Sequence, residues 1–320
     1  MKIISHDIIR NLNISSSQCI DWIYESFALK SFSELPAKIP VHPKDSEFFT
    51  SMPCLLPKNS VSGKRYFGIK VVHRIEDAVP SLGSDILLYN ADNGELLALI
   101  DGDWITSMRT GAVAAVAAKA LRRSNASCYG FLGLGNTARA TMLCIMGAEP
   151  EKKFDIKLLR YKDQAENFIE RFKSFDNFSF EIIDDIKTLV KSVDVLFSCV
   201  TCADKFIIED EKDFPKGITL VPIHTKGFQN CDTTFDRIFG DDTNHIKGFK
   251  YFSQFKGYNE IGEVLAGRDS GRINDSQRII SYNYGLGLHD VYFASKIYEM
   301  SGTKNIPTIQ MTKETGKFWV

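Results

Sequence analysis

The stretch Tyr129-Gly130-Phe131-Leu132-Gly133-Leu134-Gly135-Asn136-Thr137-Ala138-Arg139-Ala140 restricts the fold more than any other part of the chain. A short apolar run from Cys128 to Leu132 ends in Gly-x-Gly-x-x-Ala, and helix-compatible residues follow from Ala138 to Gly147. That order is strand, tight turn, helix. Gly133 permits the turn, Gly135 lets backbone come close to a pyrophosphate, and Ala138 lets helix and strand pack closely. The unbonded N–H groups at the helix start, around Asn136, Thr137 and Ala138, then meet the phosphate charge. Gly-rich turns are common after strands, so the flanking strand and helix carry as much of the inference as the glycines. The reading is a dinucleotide-binding βαβ unit.

From Ser127 onward the chain alternates. Strand-like runs at 154–160, 178–183, 193–200 and 218–223 are interleaved with helical segments at 164–174 and 186–192. This predicts a doubly wound parallel sheet. The earlier part reads differently, with strands at 47–51, 65–72, 85–90 and 96–100. Turn signals separate them, including the hairpin turn Asp92-Asn93-Gly94, so an antiparallel sheet is expected. Ser15-Ser16-Ser17 offers a cap for a helix over 19–27, and Pro36 and Pro40 mark a loop. The Ala-rich run at 110–121 predicts a helix whose small side chains allow close packing, suited to a seam between domains. Near the end, a strand at 278–282 precedes an apolar helix at 290–300 that returns to the first domain. The expected organisation is a domain at 1–124, completed by about 291–320, and a dinucleotide-binding domain at 125–290.

Composition narrows the partners. A net charge of −1 over 320 residues argues against nucleic acid or an anionic membrane held by bulk electrostatics. No apolar run approaches the roughly 20 residues that span a bilayer. The start, Met1-Lys2-Ile3-Ile4-Ser5-His6-Asp7, turns polar too early for a signal peptide. Seven scattered cysteines fit a reducing compartment better than a disulfide framework, so a soluble cytoplasmic chain is expected. Cys199-Val200-Thr201-Cys202 has a metal-like spacing, but no second Cys or His pair lies nearby in sequence. Buried thiols at a strand end are the expectation there, and no metal site is predicted.

Several further motifs occur in a fixed order. They are Pro80-Ser81, Asp92-x-Gly94-x-x-x-Ala98-x-x-Asp101-Gly102, Thr106-x-x-Arg109-Thr110-Gly111-Ala112, the glycine turn, Glu260 through Gly267, and Gly285 through Asp290. Over about 36–300 the chain resembles the ornithine cyclodeaminase/mu-crystallin family. The resemblance implies a Rossmann domain joined to an α+β domain with an antiparallel sheet, which binds substrate and forms a homodimer. It implies NAD(P)-dependent chemistry on a small amino acid or imine.

Residue by residue, the resemblance makes Lys70 a catalytic and substrate-binding lysine that holds the substrate carboxylate. Arg109 then lies near both carboxylate and nicotinamide. A cation beside a carboxylate in a buried site forms a strong charge-assisted hydrogen bond. Lys38 is the best match for a third carboxylate-binding residue, usually Arg. Ser81 stands where a nucleotide-contacting Thr is usual, Thr201 where another Thr lies against the cofactor, and Asn283 where Ser or Thr is common near the nicotinamide. His73, His289 and Asp290 read as structural, and Asp241-Asp242 as a strand end.

Two departures from the family pattern bear on function. Cyclodeaminases carry a catalytic Asp after the fifth parallel strand, whereas this chain reads Pro222-Ile223-His224-Thr225-Lys226-Gly227 and places His224 there. An Asp stabilises a developing iminium and shuttles a proton; a His with an ordinary pKa of about 6.5 shuttles a proton but stabilises a cation less well. A satisfied loop histidine is the competing reading, and Lys226 is an alternative acid or phosphate contact. At the tip of the second parallel strand, NAD enzymes usually place an acid about 20 residues past the glycines. This chain has Arg160, Tyr161 and Lys162, which favours NADP(H) over NAD(H), while Asp163 leaves NAD open.

The functional expectation is an NAD(P)-dependent oxidoreductase acting at the Cα–N bond of an amino acid or its imine, ornithine cyclodeaminase-like. A ketimine reductase or an opine-like N-(1-carboxyalkyl)amino-acid dehydrogenase is the alternative. Outside enzymes, an NADPH-dependent, crystallin-like binding protein competes.

Overall fold

A computed structural model describes residues 1–59, 63–201, 203–224, 226–302, 306–311 and 316. In chain order its elements begin β1 (Lys2–Ile4), α1 (His6–Arg10), α2 (Ser16–Ala28), β2 (Ile39–Val41), β3 (Phe48–Leu55), β4 (Tyr66–Arg74), β5 (Leu82–Asn90), β6 (Glu95–Asp101) and α3 (Asp103–Leu121). There follow β7 (Cys128–Leu132), α4 (Asn136–Ala148), β8 (Phe154–Leu159), α5 (Gln164–Phe172), β9 (Phe178–Ile183), α6 (Ile186–Lys191), β10 (Val195–Ser198) and β11 (Thr219–Pro222). The last are β12 (Arg237–Gly240), α7 (Thr243–Ile246), β13 (Asn259–Glu260), α8 (Ile261–Leu265), β14 (Ile279–Tyr282) and α9 (Gly287–Ser301). The chain forms two compact units: Met1–Ile14 with Leu29–Thr106 and Gly287–Val320, and Ser15–Ala28 with Ser107–Leu286. The division therefore falls inside α3 and just before α9, against the expected 124/125 and 290/291, and α2 belongs with the second unit.

The first unit holds a six-stranded sheet in the order β1-β6-β5-β4-β3-β2. Strands β3 to β6 are antiparallel, as expected; β2 adds to β3 antiparallel, and β1 joins β6 in parallel and makes the sheet mixed. Three residues are too few to show a strand period, which is why β1 is not legible in the sequence. Pro40 lies inside β2 rather than in a loop. β2 is the outermost strand, where a residue without an N–H is tolerated. Strand alternation sends every second side chain inward. The inward row runs Met52, Lys70, Ile86, Ile100, Ile4 across five strands, and all five are buried. Helix α9 lies on this face so closely that a Cβ on Gly68 would meet Val291 at 2.8 Å. Lys70 thus stands in a cross-strand row whose other members are all apolar.

The second unit holds an eight-stranded sheet in the order β13-β12-β14-β11-β10-β7-β8-β9, with every pair parallel. From β9 to β11 this is the doubly wound order, and its direction reverses between β7 and β10. The late strand β14 inserts between β11 and β12, so the sheet is completed by residues distant in sequence. Central strands are buried at every position, as in Val195-Leu196-Phe197-Ser198, because helices cover both faces. Helix α3 starts at Asp103, earlier than its alanine run. Within the second unit, α3 meets α4 so closely that a Cβ on Gly111 would lie 2.5 Å from backbone of Ala140. Among the described residues, no helix is long and apolar enough to cross a membrane.

One carboxyl in the second unit is buried at a cost. Asp232 is 1% exposed, and its Oδ1 accepts a hydrogen bond from the Tyr282 hydroxyl at 2.5 Å. Its Oδ2 has no hydrogen-bond partner among the described residues. Burial pushes Asp232 up from 3.8 to about 6, with the Tyr282 hydrogen bond pulling the other way. The folded chain keeps this proton up to about pH 6 and the unfolded chain releases it near 3.8, so stability falls as pH rises through that window. The shift corresponds to a loss on the order of 3 kcal/mol by pH 7. Asp232→Asn removes the titration: thermal melts at pH 5 and pH 7.5 should show the variant gaining on the wild type at the higher pH. A constant difference between the two proteins would contradict this account.

Candidate active site

In the second unit the candidate residues gather at the C-terminal ends of the parallel strands, where open α/β sheets bind ligands. Gly133 follows β7 with φ +79, a left-handed value that a residue with a side chain rarely adopts. A Cβ there would also lie 2.8 Å from the Cys199 backbone, after β10. Gly135 caps α4, and a Cβ on it would meet nothing within 4 Å. Gly135 and Asn136 are exposed, Thr137 is half-buried and Ala138 fully buried. The helix begins without a side-chain cap, so no cap side chain takes up its first N–H groups. A pyrophosphate fits this cradle: the room above Gly135 and the positive end of a 13-residue helix suit its size and its charge.

At the end of β8, Arg160, Tyr161 and Lys162 are all exposed. Arg160 is not a bare cation: it forms ion pairs with Asp184 after β9 and with Glu166 in the first turn of α5. Lys162 adopts φ +51, and its ammonium lies 5.4 Å from the Tyr161 ring centre. The cations read as attractors for a 2′-phosphate are thus accompanied by carboxylates that the sequence reading did not include.

Across the reversal point, Thr201 is exposed after β10. Cys199 has its thiol pushed up by burial, while Cys202 and Thr225 lie outside the described residues. His224 follows β11, half-buried, with Nε2 2.6 Å from the hydroxyl of Ser198, the last residue of β10. Burial lowers the His224 pKa, and a backbone interaction with Lys226 acts against that. The imidazole is therefore neutral at pH 7, a proton acceptor or donor but not a cation. Lys226 itself is exposed.

Beyond β14, Asn283 is buried, and the Ser281 hydroxyl donates to its Oδ1 at 3.5 Å. Gly285 has φ +84 and donates its N–H to Asp241, which is fully buried at the end of β12. The Arg109 guanidinium lies directly over Gly285: a Cβ there would be 2.3 Å from Nη1. Arg109 is 7% exposed, so α3 delivers a nearly buried cation to the end of β14. Asp242 caps α7 through Asn244, consistent with a structural role.

In the first unit, Lys70 has no solvent exposure and pairs with Asp290 of α9, equally buried, at 2.7 Å. Its Nζ also donates to the Thr106 hydroxyl at 3.4 Å, and Thr106 shares a 2.9 Å hydrogen bond with Ser84. Lys38 is half-buried just before β2, and Ile39 pairs with Ser51, next to the Met52 that faces Lys70. Ser81 is half-buried in the β4–β5 connection, where its carbonyl accepts from Ile75 at 2.9 Å. From the sequence Asp290 reads as structural, and Ser198 does not stand out. A carboxylate placed in the first turn of an apolar helix was the available signal for Asp290. Ser198, inside an apolar strand, gave none. Among the described residues, no group of three His, Cys, Asp or Glu side chains is arranged to hold a metal ion.

Comparison with known proteins agrees with this architecture. The chain is 24% identical over 319 residues to a Delta(1)-pyrroline-2-carboxylate reductase of Bacillus cereus, covering 93% of this chain and 96% of the relative. The fold superposes on Delta(1)-pyrroline-2-carboxylate reductase of Thermococcus litoralis, solved with NADH and L-proline, at a TM-score of 0.82 and 20% identity, covering 97% of this chain and 100% of that one. An archaeal alanine dehydrogenase dimer with bound NAD gives a TM-score of 0.83 at 22% identity, covering 98% and 99% of the two chains. The family model described as Ornithine cyclodeaminase/mu-crystallin family matches residues 3–305, and the chain belongs to that family.

Proposed function

We propose that this protein is an NAD(P)-dependent oxidoreductase acting at the Cα–N bond of an α-amino acid or its imine. The observation that carries the reading is Lys70, a buried cation in an otherwise apolar inward row. A charge in such a place calls for an anionic partner. A substrate carboxylate held by Lys70, with Arg109 and Lys38 as the other carboxylate-binding residues of the family pattern, would fix the position of Cα. When bound, the nicotinamide supplies or accepts the hydride at that carbon. The β7–α4 turn, through Gly133, Gly135, Asn136, Thr137 and Ala138, holds its pyrophosphate, with Ser81, Thr201 and Asn283 as further contacts. Fixing the reacting atoms is most of what such an enzyme must do, because oriented bound groups react far faster than free ones. His224 moves the proton at the substrate nitrogen.

Reduction of an imine, or its reverse, fits the site better than full cyclodeamination. Cyclodeamination passes through a second iminium, and a neutral His224 gives that cation less support than a carboxylate. Relatives named for pyrroline-2-carboxylate reduction and alanine dehydrogenation support the same side. The exposed apolar side chains Phe32, Ile39, Val41, Phe49 and Val79 of the first unit support a homodimer built on that unit. The low net charge and the free cysteines support a soluble, cytoplasmic setting.

NADP(H) over NAD(H) is the finer reading and rests on Arg160 and Lys162. A 2′-phosphate must compete with Asp184 and Glu166 for Arg160, so any preference is small. Exposed pairs of this kind are weak because solvent screens them. Asp184→Asn combined with Glu166→Gln should therefore shift the NADPH-to-NADH ratio of kcat/KM upward, by about a few-fold at most. An unchanged ratio would separate this strand tip from cofactor choice.

The main test follows nicotinamide absorbance while products are identified by mass spectrometry. Cyclic imine carboxylates and keto acid plus amine pairs should consume reduced cofactor stoichiometrically, the product mass naming the reaction. Lys70→Ala should abolish turnover and leave nucleotide binding intact; a fully active variant would overturn the carboxylate assignment. For amino-acid oxidation, His224 must be neutral to take the proton. The acid limb of kcat/KM should lie below the ordinary imidazole range of about 6.5, given the lowered pKa, and should vanish in His224→Gln. A limb that persists in that variant belongs to another group.

A further inference from the structure

We propose that Asp290 is a positioning residue that keeps Lys70 protonated and aimed, so that carboxylate binding by Lys70 depends on a second carboxylate buried behind it. The inference rests on the substrate-binding reading of Lys70. Its basis is geometric. Lys70 and Asp290 are each fully buried, 2.7 Å apart, inside a row of apolar side chains. Without a counter-charge, burial favours the neutral amine over the ammonium. Asp290 supplies that charge from the first turn of the 15-residue helix α9, where the helix dipole favours an anion.

A second helix braces the same ammonium. Thr106 in the first turn of α3 accepts from Lys70 at 3.4 Å and is held at 2.9 Å by Ser84, whose own N–H donates to Asp103 at 2.6 Å. An ammonium has three N–H donors on a flexible stem. Two fixed acceptors, one from each helix, hold the ammonium in place. Other titratable groups on the surrounding elements include Cys54 on β3, Tyr66 and His73 on β4, Asp85 on β5, Asp103 on α3 and His289 on α9. Burial and Asp290 push the Cys54 thiol up to about 12, so it stays neutral through the pH range of assay. Strand β5 presents Ser84 and Ile86.

Asp290→Asn tests the proposal in the full chain. KM for an imine carboxylate should rise tenfold or more at pH 7.5, and should climb further toward pH 9 as Lys70 loses its proton, a rise the wild type lacks. A limb arising from any group other than Lys70 would appear in both proteins and cancel in the comparison. NADH affinity, read by fluorescence titration, should stay within twofold. Asp290→Glu keeps the charge but displaces the ammonium, so it should raise KM about threefold without the alkaline rise, and it carries the test if the Asn variant does not fold. Wild-type KM and pH profile in either variant would overturn the proposal. Lys70→Met separates the underlying reading: if it too keeps the wild-type KM, the substrate carboxylate is bound elsewhere and the failure lies with Lys70 rather than Asp290.

Discussion

A lysine ammonium with no solvent contact, 2.7 Å from a carboxylate just as buried, is the constraint around which the first unit is arranged. Taking one such charge from water costs several kcal/mol, and breaking a buried pair by removing one partner typically costs about 3–5 kcal/mol. The pair therefore ties α9 to the centre of the sheet more specifically than apolar contact does. Strand β4 must keep its register, because a slip of one residue would turn Lys70 to the opposite face. Helix α9 must keep its rotation, because Asp290 meets Lys70 only from one side. The Gly68–Val291 contact, too close for a side chain, fixes how deeply the helix sits. Well-packed apolar residues in place of a buried ion pair are often as stable, so the charge points to a use beyond stability.

The second unit meets a different constraint, which is to leave backbone polar groups open at one edge of its sheet. The α4 N-terminus has no side-chain cap, and Gly135 has no neighbour within 4 Å of where a Cβ would stand. Such an opening costs little in stability because water can satisfy the N–H groups until an anion does. Around it the strand ends carry the polar side chains Ser198, His224, Asp241 and Asn283, while the strands behind them are apolar. Arg109 reaches that edge only because Gly285 has no side chain.

The parallel sheet from β7 to β11 was legible because its elements carry local signals, apolar runs and helical periods with a turn glycine after β7, whereas the two-residue β13 carries none. Strands β7, β9 and β11 lie within a residue or so of where periodicity puts them. Sheet order is another matter. Nothing local tells β14 to enter between β11 and β12, and nothing in Ser16–Ala28 tells α2 to pack on α4, where Gly147 makes room for Ser16. The site was legible residue by residue but not in its pairings. Lys70, Arg109 and the glycine turn stand in recognisable motifs; their partners Asp290, Gly285 and Cys199 are distant in the chain and become neighbours only through the fold. The charge around Arg160 is the same case, since Asp184 lies on another strand's end.

An arginine at the tip of the second parallel strand attracts a 2′-phosphate only to the extent that its charge is not already neutralised. Here Nε faces Asp184 and Nη1 faces Glu166, so two edges of the guanidinium are engaged in ion pairs. All three groups are substantially exposed, and solvent screening makes each contact weak. Weak contacts are easily exchanged, so a 2′-phosphate could take Arg160 at small cost, while a ribose hydroxyl could donate to the same carboxylates. The strand tip is thus chemically equipped for either nucleotide. Counting cations in the sequence overstates its preference, because the carboxylates that offset them arrive from elsewhere in the chain.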